Sequence, residues 1–187
     1  MKITKEILDG TKVLFADSVP QSIYPPTGGG YWKHMIPEHK IDSALVLGMG
    51  GATIPRLLIE KNPDISITAV DNSKRIINYA KKHFNLDELK MKIIIRDAFD
   101  FVMHTPERYD YIAVDIWNGR WFPFNVLLPP FITRCKDLLN ENGVLYINTP
   151  HLDYYAAENL KGGLRDDVGR NIIYRWEKQV DKLIKIV

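Results

Sequence analysis

Along this chain, short runs of consecutive apolar residues alternate with stretches in which apolar residues return every three or four positions. The runs at 44–47, 65–70, 91–95, 109–114 and 144–148 are mostly apolar and rich in β-branched or aromatic side chains, which predicts strands buried in a sheet. Between them, Ile54, Leu57 and Leu58, then Ile76, Ile77, Ala80 and Phe84, then Phe131, Cys135, Leu138 and Leu139 fall at helical spacing, and residues 98–104 read as a shorter helix. Pro55 suits a first helical turn, where its missing N–H costs little, and Ser73 suits an N-cap. Asn62 with Pro63, and Asn142 with Gly143, supply stops. This alternation predicts an α/β fold: a Rossmann-like, doubly wound, mostly parallel sheet with right-handed crossovers. Two more strand-like segments, 171–177 and 183–187, are too close together for a crossover. They predict an antiparallel C-terminal hairpin that closes one edge and makes seven strands. Residues 1–40 have no helical period and hold Pro25, Pro26 and the glycine run 28–30. They read as an appendage with a short hairpin, 13–15 against 21–24, ahead of a main domain at 41–187. The aromatics that follow the glycine run are placed either as a lid over a pocket or as packing against the sheet.

Gly48, Gly50 and Gly51 come directly after the first of the buried strands, before helical spacing begins. A strand, a tight glycine loop and a helix in that order put the loop at the carboxyl edge of an open sheet, where ligands bind and glycine permits close backbone approach. Three later strands run into acids, Asp71, Asp97 and Asp115. Parallel strands deliver their carboxyl ends to one edge, so these acids should surround the same mouth. Asp71, with Asn72 beside it, stands about 20 residues beyond the glycines, where an acid accepts from the hydroxyls of an adenosine ribose. Asp97 is placed to accept from an adenine amino group while the Ala98 N–H meets a ring nitrogen; helix capping is its alternative role. Asp115 opens an irregular aromatic stretch at 116–130, where a second substrate would enter. Tyr31, Trp117 and Trp121 are candidates for apolar or cation–π walls of that substrate site, and Asn118 for directional hydrogen bonds. A nicotinamide dinucleotide competes for such a loop, but its G-x-G-x-x-G pattern wants a third glycine where this chain has Thr53.

Composition narrows the classes further. With 45% hydrophobic and 26% charged residues over 187 positions, this is the profile of an ordinary globular chain. A net charge of +2 makes no electrostatic claim on nucleic acid or an anionic membrane, and no basic stripe interleaved with aromatics stands out. No apolar run approaches the roughly 18 residues that span a bilayer, and the first residues lack the apolar core of a signal peptide. The expectation is a cytoplasmic protein with a small-molecule acceptor and neither membrane nor nucleic acid as partner. Cys135, on an apolar helical face, reads as a buried structural thiol. The histidines at 34, 39, 83, 104 and 151 form no helical ligand pair, so no metal is expected.

The ordered set LVLGMGGATIPRLL, ITAVDNSKRIINYAKKHF, IIIRDAFDF, YDYIAVDIWNG and LLNENGVLYIN resembles the successive motifs of class I S-adenosylmethionine-dependent methyltransferases, and within them the spermidine synthase branch of aminopropyltransferases. The resemblance implies S-adenosylmethionine, or its decarboxylated form, as cofactor. It puts Gly48, Gly50 and Gly51 against the methionine part, Asp71 on the ribose, and Asp97 with Ala98 on the adenine. Asp115 matches the first acid of the family's D-[ST]-x-D-P motif, which helps deprotonate an attacking amine. The family's dimers and tetramers leave a homodimer open. Where polyamine synthases carry a second acid followed by proline, this chain has Asn118 and Gly119. A hydrogen bond to a charged group contributes about 1.5–3 kcal/mol, so losing that carboxylate weakens recognition of a cationic diamine. Methyl transfer to a small amine or hydroxyl is therefore the first expectation and aminopropyl transfer to a polyamine the second. A third is a non-catalytic S-adenosyl-binding protein whose exposed Trp117, Trp121 and Phe122 form a contact surface. A metal-dependent O-methyltransferase is disfavoured, because Ile147, Asn148 and Thr149 offer Mg²⁺ no acid after the fifth strand.

Overall fold

The structure, a computed structural model, describes residues 1–26, 30–151 and 158–178. The chain opens with three antiparallel strands, β1 (Ile3–Leu8), β2 (Thr11–Ala16) and β3 (Val19–Tyr24), where the sequence suggests a two-stranded hairpin. The added strand, ITKEIL, is largely exposed and carries no clean alternation, which hides it from a reading based on burial period. β3 fastens this small sheet to the rest of the protein. Ser22 Oγ accepts from the Gly51 N–H at 2.6 Å, and Thr53 Oγ1 accepts from the Ile23 N–H at 2.9 Å while donating to the Ile23 carbonyl at 3.2 Å. A 3₁₀ turn at Tyr31–Met35 follows. Its Trp32 and Met35 are buried in the core, and the Met35 carbonyl accepts from the Tyr111 hydroxyl at 2.8 Å.

The large sheet is built by β4 (Ser43–Leu47), β5 (Ser66–Asp71), β6 (Lys92–Ile95), β7 (Tyr109–Val114), β8 (Leu139–Pro150), β9 (Leu164–Val168) and β10 (Asn171–Glu177), in the spatial order β6-β5-β4-β7-β8-β10-β9. The first five in that order are parallel, and β10 runs antiparallel to both β8 and β9. The expected antiparallel hairpin is present, but β9 supplies its second strand. The segment 183–187, expected in that role, lies outside the described residues. β9 reads LRDDV, an exposed edge strand whose charges suit an open edge and leave no apolar signature.

Strand alternation sorts the core into two layers. Ala44, Val46, Ile67, Ala69, Tyr111 and Ala113 join one cluster with residues of α1 (Thr53–Lys61) and α2 (Lys74–His83). Leu45, Leu47, Val70, Ile112 and Val114 join the other with residues of α3 (Ala98–His104) and α4 (Pro129–Asp137). Side chains with period two on a strand point to opposite faces, and both faces of this sheet are covered. The helices begin where their caps dictate. Ser73 Oγ accepts from the Ile76 N–H at 3.2 Å, and Pro129 and Pro130 occupy the first positions of α4. Cys135 is fully buried on α4, and burial pushes its thiol pKa up, as befits a structural thiol. Among the described residues, no helix is long and apolar enough to cross a membrane.

Candidate functional site

The chain enters the large sheet at β4, fills one side with β5 and β6, then returns to the other side of β4 with β7 and β8. The crevice outside the carboxyl ends of β4 and β7 is the topological switch point, where open α/β sheets bind ligands. Gly48 sits in that crevice with φ +85°, a conformation that disfavours any side chain. Its N–H donates to the Val70 carbonyl at 2.9 Å, and a Cβ on it would stand 2.7 Å from the carbonyl carbon of Asp115 and closer still to the oxygen. The ends of β4, β5 and β7 therefore converge on one glycine.

Asp71, at the end of β5, is 9% exposed. Its Oδ2 accepts from the Gly50 N–H at 3.0 Å and its Oδ1 from the Ser73 N–H at 2.8 Å. Burial raises its pKa, and those two N–H groups oppose the rise. Asp97 follows β6 and lies at the exposed rim, where its Oδ1 accepts from the Asp100 N–H at 3.0 Å and caps α3. The capping role is thus filled, and it uses one of the two carboxylate oxygens.

Asp115, at the end of β7, is also 9% exposed. The Tyr31 hydroxyl donates to it at 3.0 Å across 84 residues of sequence, and Asn148 Nδ2 donates to Oδ1 at 2.7 Å. Asn148 is fully buried on β8, and its Oδ1 accepts from Asn171 Nδ2 at 2.8 Å, so the line of hydrogen bonds crosses from β7 through β8 to β10. Burial pushes the Asp115 carboxyl up to about 6, with Asn148 and Tyr31 pulling it back. Burial and the neighbouring carboxylate hold the Tyr31 hydroxyl well above its ordinary value, so it stays a donor.

These groups line one cavity of about 490 Å³. Gly48, Gly50, Asp71, Asn72, Asp97, Ala98, Tyr31, Asp115, Trp117 and Asn118 are all on its wall. Gly51 and Trp121, also expected in the site, are not. The Gly51 N–H is spent on Ser22, and a Cβ there would meet Ser22 Cβ at 2.8 Å, so this glycine serves the docking of β3 rather than the cavity. Trp121 is 79% exposed, because the reverse turn that pairs it with Asn118 turns its ring outward. The contact surface of the interaction-protein reading also breaks up. Phe122 is only 8% exposed, and its ring meets that of Trp117 edge-on at 5.3 Å. Sequence reasoning missed Gln21, Ile76, Phe99 and Asn125 on the wall, and it passed over Asn148 as a partner of Asp115. An amide in a buried strand, INT after VLY, was the one available hint, since a buried amide needs a partner.

Residues 38–163 match the family model described as spermine/spermidine synthase domain. A probable polyamine aminopropyl transferase of Bifidobacterium longum is 30% identical over 57% of this chain and 24% of its own length. An N-terminal histidine N-methyltransferase of Emericella nidulans is 36% identical over 62% of this chain and 21% of its own length. The match thus spans about a quarter or less of either relative. The crystal structure of a probable spermidine synthase from Corynebacterium glutamicum superposes with a TM-score of 0.79 at 20% identity, covering 94% of this chain and 76% of that one, a likeness of fold.

Proposed function

The chain belongs to the spermine/spermidine synthase domain family, and from that premise we propose that it is an S-adenosylmethionine-dependent transferase that methylates an amine, with Asp115 taking the amine's proton. The observation that carries this reading is the continuity of one cavity from Gly48 and Asp71 to Asp97 on one side and to Asp115 on the other. Its volume falls in the range of sites for cofactor-sized ligands.

The residues present fit an S-adenosyl nucleoside. A carboxylate offers about four lone-pair sites. Two on Asp71 are engaged by backbone N–H groups, which fixes the side chain and leaves two for ribose hydroxyls. Asp97 keeps Oδ2 for an adenine amino group, with Ile76 and Phe99 on the cavity wall as apolar cover for the ring. When bound, the sulfonium would supply an activated methyl carbon to an amine lone pair, with the C–S electron pair left on sulfur, and the amine nitrogen would have a proton to shed. Asp115 is the base for that proton. Tyr31 and Asn148 hold its carboxylate in place, and burial brings its pKa close enough to neutrality for general-base work.

Asn118 favours methyl over aminopropyl transfer, because an amide at the cavity wall holds a second ammonium poorly. Aminopropyl transfer from decarboxylated S-adenosylmethionine stays the second reading, supported by the family and by the same demand for a base at Asp115. The test is to supply each donor with a mixture of amines and to identify the nucleoside product. S-Adenosylhomocysteine is expected; methylthioadenosine would transfer the assignment to the second reading. Absence of binding heat with either donor would sink both.

A pH profile checks the base. The rate should fall on the acid side with a midpoint near pH 6, as Asp115 takes up its proton. In the Asn148→Ala protein, a donor that favours the ionised carboxylate is gone, so the midpoint should move to higher pH by about one unit. An unmoved midpoint would show that Asp115 is not the group being titrated.

A further inference from the structure

β9 and β10 are joined by a two-residue turn, Gly169 and Arg170, with Gly169 at φ +64°. A turn that short fixes the register of the strand leaving it. Asn171 is that strand's first residue, opposite Val168 of β9 and Pro150 of β8. Two residues on, Ile173 stands opposite Asn148, while Val114 of β7 stands beside Ile147 of β8. Strand alternation then puts Asp115, Asn148 and Asn171 on one face of the sheet, the face that Ala113, Tyr146 and Ile173 present to the first core cluster.

On that face the three side chains form a line of hydrogen bonds with one sense. Asn171 Nδ2 donates to Asn148 Oδ1 at 2.8 Å, and Asn148 Nδ2 donates to Asp115 Oδ1 at 2.7 Å. A carboxamide has two ends of similar shape and opposite hydrogen-bonding character, so packing around the fully buried Asn148 does not by itself orient it. Its partners do. An ionised Asp115 only accepts, so the NH2 must face it and the oxygen needs a donor on the other side. Asn171 is that donor. It heads the buried apolar run Ile172 to Tyr174, and Asn148 is its one side-chain partner among the described residues.

We propose that Asn171 is a positioning residue: by donating to Asn148 it sets which end of that amide faces Asp115. It is off the cavity wall and acts through Asn148 alone. The purpose of the arrangement rests on the transferase reading; the arrangement itself does not. With the NH2 turned toward Asp115 the carboxylate is favoured. With the oxygen turned toward it the acid is favoured, because a protonated carboxyl can donate and a carboxylate cannot. The ionisable side chains around Asp115, Tyr31 and Tyr111, are both held well above their ordinary values, chiefly by burial, and stay neutral while it titrates. Asp71 and Asp97 line the same cavity, and Arg170 adjoins Asn171 in the turn.

Asn171→Asp keeps the side chain's shape and removes the donor. The test follows the carboxyl carbon resonance of Asp115 in protein labelled with carbon-13 at aspartate, assigned by its loss in Asp115→Asn, so the readout needs no turnover. The parent should titrate near pH 6. Asn171→Asp should raise that midpoint by about one unit or more, tenfold in the ionisation constant. Asn171→Leu, which lacks a donor and adds no charge, should raise it by less, and it decides alone if the charged variant does not fold. In the Asn148→Leu background, Asn171→Asp should move the midpoint much less, which separates the amide's orientation from the new charge. An unmoved midpoint in folded Asn171→Leu and Asn171→Asp, or an equal shift with and without Asn148, overturns the proposal. The acid limb of the methyl-transfer rate should follow the resonance from variant to variant. Resonance shifts in a parent that transfers to no amine count against the transferase reading alone; transfer with an unmoved resonance counts against the positioning alone.

Discussion

Asp115→Asn yields a protein that loses transfer activity by about 10²–10⁴-fold and yet melts later than the parent. The loss follows from removing a general base in contact with the acceptor, an effect of that size in other enzymes. The gain follows from the cost of burying a charge. Asp115 has a folded-state pKa near 6 against the ordinary 3.8, so at neutral pH the folded chain carries a carboxylate that burial penalises. About two pH units correspond to about 2–3 kcal/mol, which in a chain of this size is a rise in Tm of roughly 5 °C or more. The sign can be checked against pH. Between about 4 and 6 the folded state binds more protons than the unfolded one, so this group's contribution to stability falls as pH rises. The difference in Tm between variant and parent should therefore be full above pH 6 and close below pH 4, where the carboxyl is neutral in both states. The oxygen of the replacement amide can still accept from Tyr31 and Asn148, while its NH2 brings two donors to the place of Oδ2 at the cavity wall, a cost set against the gain. Full activity in the variant would remove Asp115 from the mechanism, and an unchanged Tm would show that its burial carries no penalty.

Gly48→Ala is expected to damage stability and nucleoside binding together. The left-handed φ disfavours a side chain by about 1–2 kcal/mol, and the added methyl collides with the Asp115 main chain, which has no rotamer by which to yield. Overpacking of this kind adds about 1–3 kcal/mol. Relief requires β4 and β7 to part at their carboxyl ends, where Asp115 N–H donates to the Leu47 carbonyl at 2.8 Å, so the cavity mouth is distorted as well. Thermal unfolding should fall by roughly 5–15 °C, and affinity for S-adenosylhomocysteine should fall at least tenfold. Gly50→Ala is the control. Its φ is left-handed too, at +54°, but its added Cβ meets the Ser22 hydroxyl, whose displacement breaks one hydrogen bond to Gly51 without parting two strands, so the loss should be smaller. Equal effects at the two positions would mean that the convergence of three strands on Gly48 is not what matters.

The strands β4, β5, β7 and β8 and the helices between them were legible because each buries its apolar face within a few consecutive residues; β6 was legible from its isoleucines, but it is an edge strand with Ile95 52% exposed rather than the buried strand expected. Val46 and Leu47, or Ile76, Ile77 and Ala80, announce their burial by local spacing alone. The acids at 71, 97 and 115 were legible for a related reason. Parallel strands share one carboxyl edge, so position at a strand's end is already position at the site. β1 and β9 were not legible, since both lie at exposed edges and carry polar side chains that report no buried face. Gly51, expected at the site from its place in the glycine loop, and Trp121, expected there from the aromatic stretch, do not line the cavity, because a residue's place in the chain does not specify which way its groups face.

The sequence by itself determined the sheet, its helical cover and the edge at which glycine and carboxylate chemistry gathers, because those depend on interactions a few residues long. Only the tertiary structure decided that Tyr31 and Asn148 hold Asp115 and that β3 clamps the glycine loop. Those contacts join residues 29 to 84 positions apart. They depend on the path by which the chain returns to itself, which no local pattern of polar and apolar residues encodes.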